Sequence, residues 1–243
     1  MHNVLVKKYL NTIINEGLYS DQKRLLFKVT EFFGKIDLTN KSVLDIGGGY
    51  GLLSFYAGIK GANIVLCLEP ESDGSSEGVQ TNFNKIKSNL NLNNVSLSTD
   101  LFQNLKVDEK YDLIILHNSI NHLNETTCSN LIIDLKYQNE YIGYFNKMYE
   151  LLSEKGELIF SDCSRHNFWN KIGLKNPIVS GIEWKKHQSP YVWSRLLTKS
   201  GFKVKKIKWN SFNRFGMVGK IITGNILVSY FLTSHFTIYA QKR

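Results

Sequence analysis

The chain has 243 residues, 42% apolar, 12% aromatic and 21% charged, the composition of a folded protein with a sizeable core rather than of a disordered or collagen-like chain. No uninterrupted apolar run approaches the ~20 residues needed to span a bilayer, and the start, Met1-His2-Asn3-Val4-Leu5-Val6-Lys7-Lys8, lacks the layout of a signal peptide, so a cytoplasmic location is expected. The net charge of +9 is unevenly spread: residues 1–180 carry 18 Lys/Arg against 20 Asp/Glu, whereas residues 181–243 carry 12 against Glu183 alone. A basic final quarter on a near-neutral body points to one surface suited to an anion.

In chain order, two apolar-periodic stretches come first, with Ser20 placed as an N-cap and Gly17 and Gly34 as stops. Short β-branched runs then alternate with helical segments. The expected strands are Ser42–Ile46, Asn63–Glu69, Val95–Asp100, Tyr111–His117 and Glu157–Asp162. The longest helical region, Glu125–Leu152, is one helix or two broken near Gln138-Asn139, with Ile132, Ile133 and Leu135 among the residues of its inner face. A loop-rich stretch from Cys163 to Pro190 precedes a helix over Tyr191–Lys199, a strand over Phe202–Trp209 and a last strand at His235–Ala240. Strands alternating with helices predict an α/β fold, a doubly wound and mostly parallel sheet with helices on both faces. Cys67, Cys128 and Cys163 are odd in number and widely spaced, which argues against a disulfide framework or a zinc knuckle.

The strongest local signal is Val43-Leu44-Asp45-Ile46-Gly47-Gly48-Gly49-Tyr50-Gly51-Leu52-Leu53. A buried strand runs into a turn with glycine at four of five positions and then into a helix, which lets backbone N–H groups approach an anionic or polar ligand. A dinucleotide fingerprint requires glycine at the sixth position of the turn, where Leu52 stands instead. The pattern present, Asp-x-Gly-x-Gly-x-Gly, resembles the first motif of the class I S-adenosylmethionine-dependent methyltransferases. Tyr111–Leu123 and Leu151–Phe160 resemble later segments of that family, with Lys155 where its first glycine of a pair stands.

The resemblance covers residues 41–165 and implies a Rossmann-like, seven-stranded, mostly parallel sheet with an antiparallel last strand. It divides the chain into N-terminal helices over 1–40, a cofactor-binding core over 41–165, and an acceptor-side cap with the last two strands over 166–243. The implied cofactor is S-adenosylmethionine. Its implied binding residues are Asp45, Gly47, Gly48, Gly49 and Gly51 in the turn, Glu69 on the ribose hydroxyls, Asp100 and Leu101 at the adenine, and His117 beside the reacting sulfur. Taken alone, Asp100 is equally an N-cap or Asx-turn residue.

Methyl transfer from a sulfonium is an in-line displacement, and a hydroxyl acceptor also needs a base for its proton. Histidine is the side chain poised for that near neutral pH. His117 and then His166 are the candidate catalytic residues, because both follow strands at the sheet edge where open α/β folds bind ligands; His122 reads as structural. No metal is expected: a set of His117, His122 and Asp162 lacks helical ligand spacing. After the fourth strand, His117-Asn118-Ser119-Ile120 has no proline, a departure from the Asn/Asp-Pro-Pro-aromatic segment of base-amino methyltransferases.

The expected activity is therefore O-methylation of a small, lipid-linked or nucleotide-linked anionic acceptor such as a glycan precursor. The segment 212–231 is a candidate amphipathic element for peripheral membrane contact. Lys203, Lys205, Lys206 and Lys208 with Trp209 leave an RNA methyltransferase as an alternative, and a non-catalytic binding subunit of the same fold is a further one.

Overall fold

The structure is a computed structural model that describes residues 2–71, 78–211, 219 and 224–243. Hydrogen bonding orders seven strands as β3-β2-β1-β4-β5-β7-β6. They are β1 Ser42–Ile46, β2 Ile64–Leu68, β3 Val95–Ser98, β4 Tyr111–His117, β5 Leu152–Cys163, β6 Phe202–Trp209 and β7 His235–Lys242. β1 pairs in parallel with β2 and β4, β2 with β3, and β7 runs antiparallel to both β5 and β6. The expected mostly parallel, seven-stranded α/β sheet with its antiparallel closing strand is present. The chain divides into two compact units, residues 1–116 and 117–243.

In the first unit, α1 (His2–Asn15), α2 (Gln22–Phe33), α3 (Leu52–Ile59) and α4 (Val79–Leu90) accompany β1 to β4. The β1 residues Val43, Leu44 and Ile46 are fully or almost fully buried, as a strand covered on both faces requires. The α2 N-cap is Asp21 rather than the expected Ser20: the Asp21 carboxylate accepts the Arg24 N–H at 2.8 Å, whereas Ser20 lies one residue too early to reach the first turn. α1 packs on α3 and α4. Its Tyr9 is wholly buried and donates its hydroxyl to the Leu52 carbonyl at 2.9 Å, which ties the helix to the residue that opens α3.

In the second unit, α5 (Glu125–Asn130), α6 (Leu135–Leu151), α7 (Phe168–Lys171), α8 (Pro190–Lys199) and α9 (Ile226–Phe231) accompany β5 to β7. Trp193 of α8 is its aromatic centre, in ring contact with Tyr141, Phe145 and Phe160. The expected helix over 125–152 is two helices, and its break lies at 131–134 rather than at Gln138-Asn139. Asp134 begins α6 by accepting the Lys136 N–H at 2.8 Å. Ile132, Ile133 and Leu135 therefore face water at 54%, 74% and 66% exposure instead of forming the inner face. Apolar residues in a turn imitated helical periodicity.

The stretch after β5 is held by side-chain hydrogen bonds from the buried Asn167 and the partly exposed Trp169. Asn167 donates to the Tyr230 carbonyl at 3.0 Å and to the Ser234 hydroxyl at 2.9 Å, and the Trp169 indole N–H donates to the Phe231 carbonyl at 2.8 Å. No described helix is long and apolar enough to cross a membrane. Most of the candidate amphipathic element 212–231 lies outside the described residues, which in that span are 219 and 224–231.

Two backbone positions give stability tests. A Cβ added at Gly58 in α3 would lie 2.5 Å from Val95 Cγ2, so Gly58→Ala is expected to destabilise by about 1–3 kcal/mol in urea unfolding through overpacking. Lys155, where the resembling family has glycine, adopts φ +60°; Lys155→Gly is expected to raise stability by roughly 0.5–1 kcal/mol by removing left-handed strain.

Candidate functional site

In the first unit the carboxyl ends of three parallel strands lie level, because Ile46 pairs with Leu68 and Leu68 with Ser98. Gly47, Glu69 and the Thr99-Asp100 pair therefore leave the sheet at one edge, which is where open α/β sheets bind ligands. Gly47 and Gly48 both donate their N–H to the Leu68 carbonyl, at 2.8 and 3.2 Å. Gly47, Gly49 and Gly51 have φ of 69°, 55° and 81°, a region that side chains rarely adopt. Gly48 is required by space: a Cβ there would stand 2.5 Å from Cys67 Sγ and 2.8 Å from Asp45 Oδ2. A Cβ on Gly51 would strike the Phe83 ring at 2.6 Å.

Two carboxylates meet beneath this turn. Asp45 is 1% exposed; its Oδ2 accepts the Ser54 hydroxyl at 2.7 Å, and its Oδ1 is buried with no hydrogen-bond partner among the described residues. Glu69, 7% exposed, accepts the Gly49 N–H through Oε2 at 2.9 Å. Burial pushes the Asp45 carboxyl up to about 7, opposed by the Ser54 hydrogen bond and reinforced by the charge of Glu69. Of the two ligand types expected for the glycine turn, anionic or polar, the surroundings favour the polar one: the Gly49 N–H is already bonded to the Glu69 carboxylate, and Asp45 lies close by.

A donor-bearing or cationic ligand fits this environment, and the pyrophosphate of a dinucleotide does not. S-adenosylmethionine brings ribose hydroxyls, amino groups and a positive sulfur, so the residues present fit it. Asp100 is exposed and bonded locally: the Ser98 hydroxyl donates to its Oδ2 at 2.7 Å and accepts its N–H at 3.1 Å. The turn is made by the Ser98 hydroxyl and not by the Asp100 carboxylate, and the residue that precedes the short helix Phe102–Asn104 is Leu101, 45% exposed.

The second unit holds five of the six histidines. The His117 ring, at the end of β4, is hydrogen-bonded through Nδ1 to the Ser161 hydroxyl of β5. His235 accepts from the Asn210 side-chain amide at Nδ1 (2.6 Å) and donates from Nε2 to Asn118 Oδ1 at 2.7 Å. That fixes Asn118, at φ +57°, directly after His117. His122 is exposed and engages Glu125 at 2.7 Å, in agreement with its structural reading. His117, His122 and Asp162 each engage a different partner and do not form one ligand set.

His166 is exposed and lines a cavity of about 410 Å3. Its walls are Pro190, Tyr191, Trp209, Ile226, Leu227 and Tyr230, with the hydroxyl-bearing Ser164 and Ser189. The lysines of β6 do not line it: Lys203, Lys205 and Lys206 are exposed, on a strand that pairs with β7 alone and carries an irregularity between Val204 and Lys206. Trp209 is the β6 residue that reaches the cavity.

Sequence reasoning missed one pair. Asp162 of β5 is wholly buried and its Oδ1 lies 2.8 Å from His187 Nδ1, the histidine side chain being 14% exposed. Asp162 Oδ2 has no hydrogen-bond partner among the described residues. Burial pushes this carboxyl up while His187 pulls it back. The pairing spans 25 positions in the chain, and no local motif announces it.

Because the folded Asp45 carboxyl titrates near 7 and an unfolded one near 4, the folded state holds the extra proton between those values. Stability from this group is complete below about pH 4 and is lost as pH rises through about 7. In cofactor-free urea unfolding, the stability of the wild type relative to Asp45→Asn is expected to fall steadily from pH 4 to 7; an unchanging difference contradicts the shift.

A family model described as a methyltransferase domain matches residues 19–207. No curated protein sequence matches the chain. Among solved structures, one titled a putative S-adenosylmethionine-dependent methyltransferase from Listeria monocytogenes has a TM-score of 0.60 at 15% identity, covering 92% of this chain and 100% of that one. The magnesium protoporphyrin IX methyltransferase of Synechocystis PCC 6803 with bound S-adenosylhomocysteine has 0.60 at 17% identity, with 100% of both chains covered. An S-adenosylmethionine-dependent methyltransferase from Aquifex aeolicus has 0.59 at 16%, covering 94% and 97%. These likenesses establish the fold, and the family model, matching well over half of the chain, shows that it belongs to the methyltransferase domain family.

Proposed function

We propose that this methyltransferase uses S-adenosylmethionine and delivers the methyl group to a hydroxyl oxygen of a small, lipid-linked or nucleotide-linked anionic acceptor in the cytoplasm. The observation that carries the cofactor half is the buried, unpartnered Oδ1 of Asp45 beside Glu69 under a turn that admits no side chain at Gly48. In this reading Glu69, at the carboxyl end of β2, accepts from the ribose hydroxyls. Asp100 accepts from the adenine amino group, and Leu101 lies against its ring. Gly47, Gly49 and Gly51 keep the backbone close to the ligand.

When bound, the cofactor supplies an electrophilic methyl group on positively charged sulfur. The tasks left to side chains are to orient the acceptor, exclude water and take one proton from its hydroxyl. His117 and His166 are the residues assigned to that proton. His117 has a ring orientation fixed by Ser161, and His166 lines the cavity together with Ser164 and Ser189.

The charge surplus of residues 181–243 supports an anionic group on the acceptor, one that lies outside the cavity because Lys203, Lys205 and Lys206 do not line it. The same lysines on one strand support RNA as a second reading. Ile226, Leu227 and Phe231 of α9, exposed at 50%, 67% and 43%, support peripheral membrane contact.

Calorimetric titration is expected to show saturable binding of S-adenosylmethionine and none of NAD+, with Glu69→Ala weakening the former at least tenfold; binding of NAD+ alone contradicts the proposal. With labelled cofactor and pooled hydroxyl acceptors, His117→Ala or His166→Ala is expected to lower turnover by about 10²-fold or more. Unchanged turnover in both variants removes histidine from the proton transfer.

A further inference from the structure

The cavity in residues 117–243 carries information about the acceptor that charge does not. Its volume of about 410 Å3 lies in the lower part of the range for small-molecule sites. Among its described lining residues none is a lysine, arginine, aspartate or glutamate. A charged group seated inside would lose hydration with no counterion of fixed charge among these described residues to replace it. Tyr191, Trp209 and Tyr230 present three aromatic side chains, which match the flat face of a ring.

The polar residues at its edge are turned to the backbone. Ser164 Oγ accepts the His166 N–H at 3.2 Å, and Ser189 Oγ accepts the Val192 N–H at 3.3 Å. The surface that the described residues present to the cavity is apolar.

The walls are also held in place before any ligand arrives. Asn167 bonds the Tyr230 carbonyl, Trp169 bonds the Phe231 carbonyl, and the Ser189 cap fixes the start of α8. A preformed site loses less ordering entropy on binding. Meanwhile Tyr191 and Leu227 remain 61% and 67% exposed, so a ligand covering them removes apolar surface from water.

We infer that this cavity takes a flat, apolar ring of the methyl acceptor, held against Tyr191, Trp209 and Tyr230. The assignment rests on the methyltransferase reading for the word acceptor, and it places any anionic group of that molecule outside the cavity.

The test uses 2-naphthol as the probe, an apolar ring with one hydroxyl, titrated calorimetrically into the full chain. S-adenosylhomocysteine is titrated separately as a report on the first unit. Leu227→Asp and Tyr191→Ala change exposed side chains of the cavity. The expected result is saturable 2-naphthol binding that weakens at least tenfold in Leu227→Asp and at least threefold in Tyr191→Ala, with S-adenosylhomocysteine affinity within twofold of wild type in both. Absence of saturable 2-naphthol binding, or equal affinity in both variants, overturns the cavity assignment even when S-adenosylhomocysteine binds normally. Cavity-dependent 2-naphthol binding without any S-adenosylhomocysteine binding upholds the ring site and overturns the methyltransferase reading on which its role as an acceptor site depends.

Discussion

Two carboxylates at the ends of adjacent parallel strands impose the main constraint on this protein. Asp45 closes toward the end of β1 and Glu69 follows β2, both almost wholly buried. The glycine turn between β1 and α3 is shaped around them. Gly48 lacks a side chain because Asp45 and Cys67 occupy its space, and Gly49 gives its N–H to Glu69. Taking the Asp45 carboxylate out of water costs free energy, and the charge of Glu69 adds a smaller cost, which together appear as the raised Asp45 carboxyl. A site that retains such a cost is organised for a ligand that brings hydrogen-bond donors and positive charge. The same glycine-rich turn with an anion in it would need the opposite electrostatics.

The second unit solves a different problem, the fixing of side chains on irregular backbone. Asn118 and Ser234 both adopt positive φ, at 57° and 49°, and both lie next to histidines. Side-chain hydrogen bonds hold each one: Asn118 receives His235 Nε2–H, and Ser234 bonds to the His166 carbonyl at 2.9 Å. These contacts set the positions of His117 and His166 without involving either ring. The cavity beside His166 is walled largely by residues of α8, β6 and α9, and the stretch before α8 is pinned by Asn167, Asn176 and Trp169, the last two bonded to the carbonyls of Leu232 and Phe231.

What was legible in the sequence was local. The turn over Gly47–Gly51 announces itself because positive φ and close approach leave few residue types available, and β1, β4 and β6 follow from compact β-branched runs. The 131–134 break was hidden because Leu131, Ile132 and Ile133 are apolar in a turn, where periodicity reads them as helix. The Asp162–His187 pair and the cavity were hidden for another reason: each joins residues far apart in the chain, and no spacing rule encodes which loop folds onto which. Charge misled in part. The +11 of residues 181–243 is real, yet the cavity in that unit presents an apolar surface while Lys203, Lys205 and Lys206 face water.

The carboxylate pair makes a prediction about protons that a neutral pocket does not. With its carboxyl raised to about 7, Asp45 is partly protonated at neutral pH, and donors arriving at Oδ1 favour its charged form. Calorimetry of S-adenosylmethionine binding in two buffers of different ionisation enthalpy measures the protons exchanged. Proton release on cofactor binding at pH 7 that is reduced in Asp45→Asn is the expected result; binding with no proton release, or with release unchanged in Asp45→Asn, contradicts the role given to this pair.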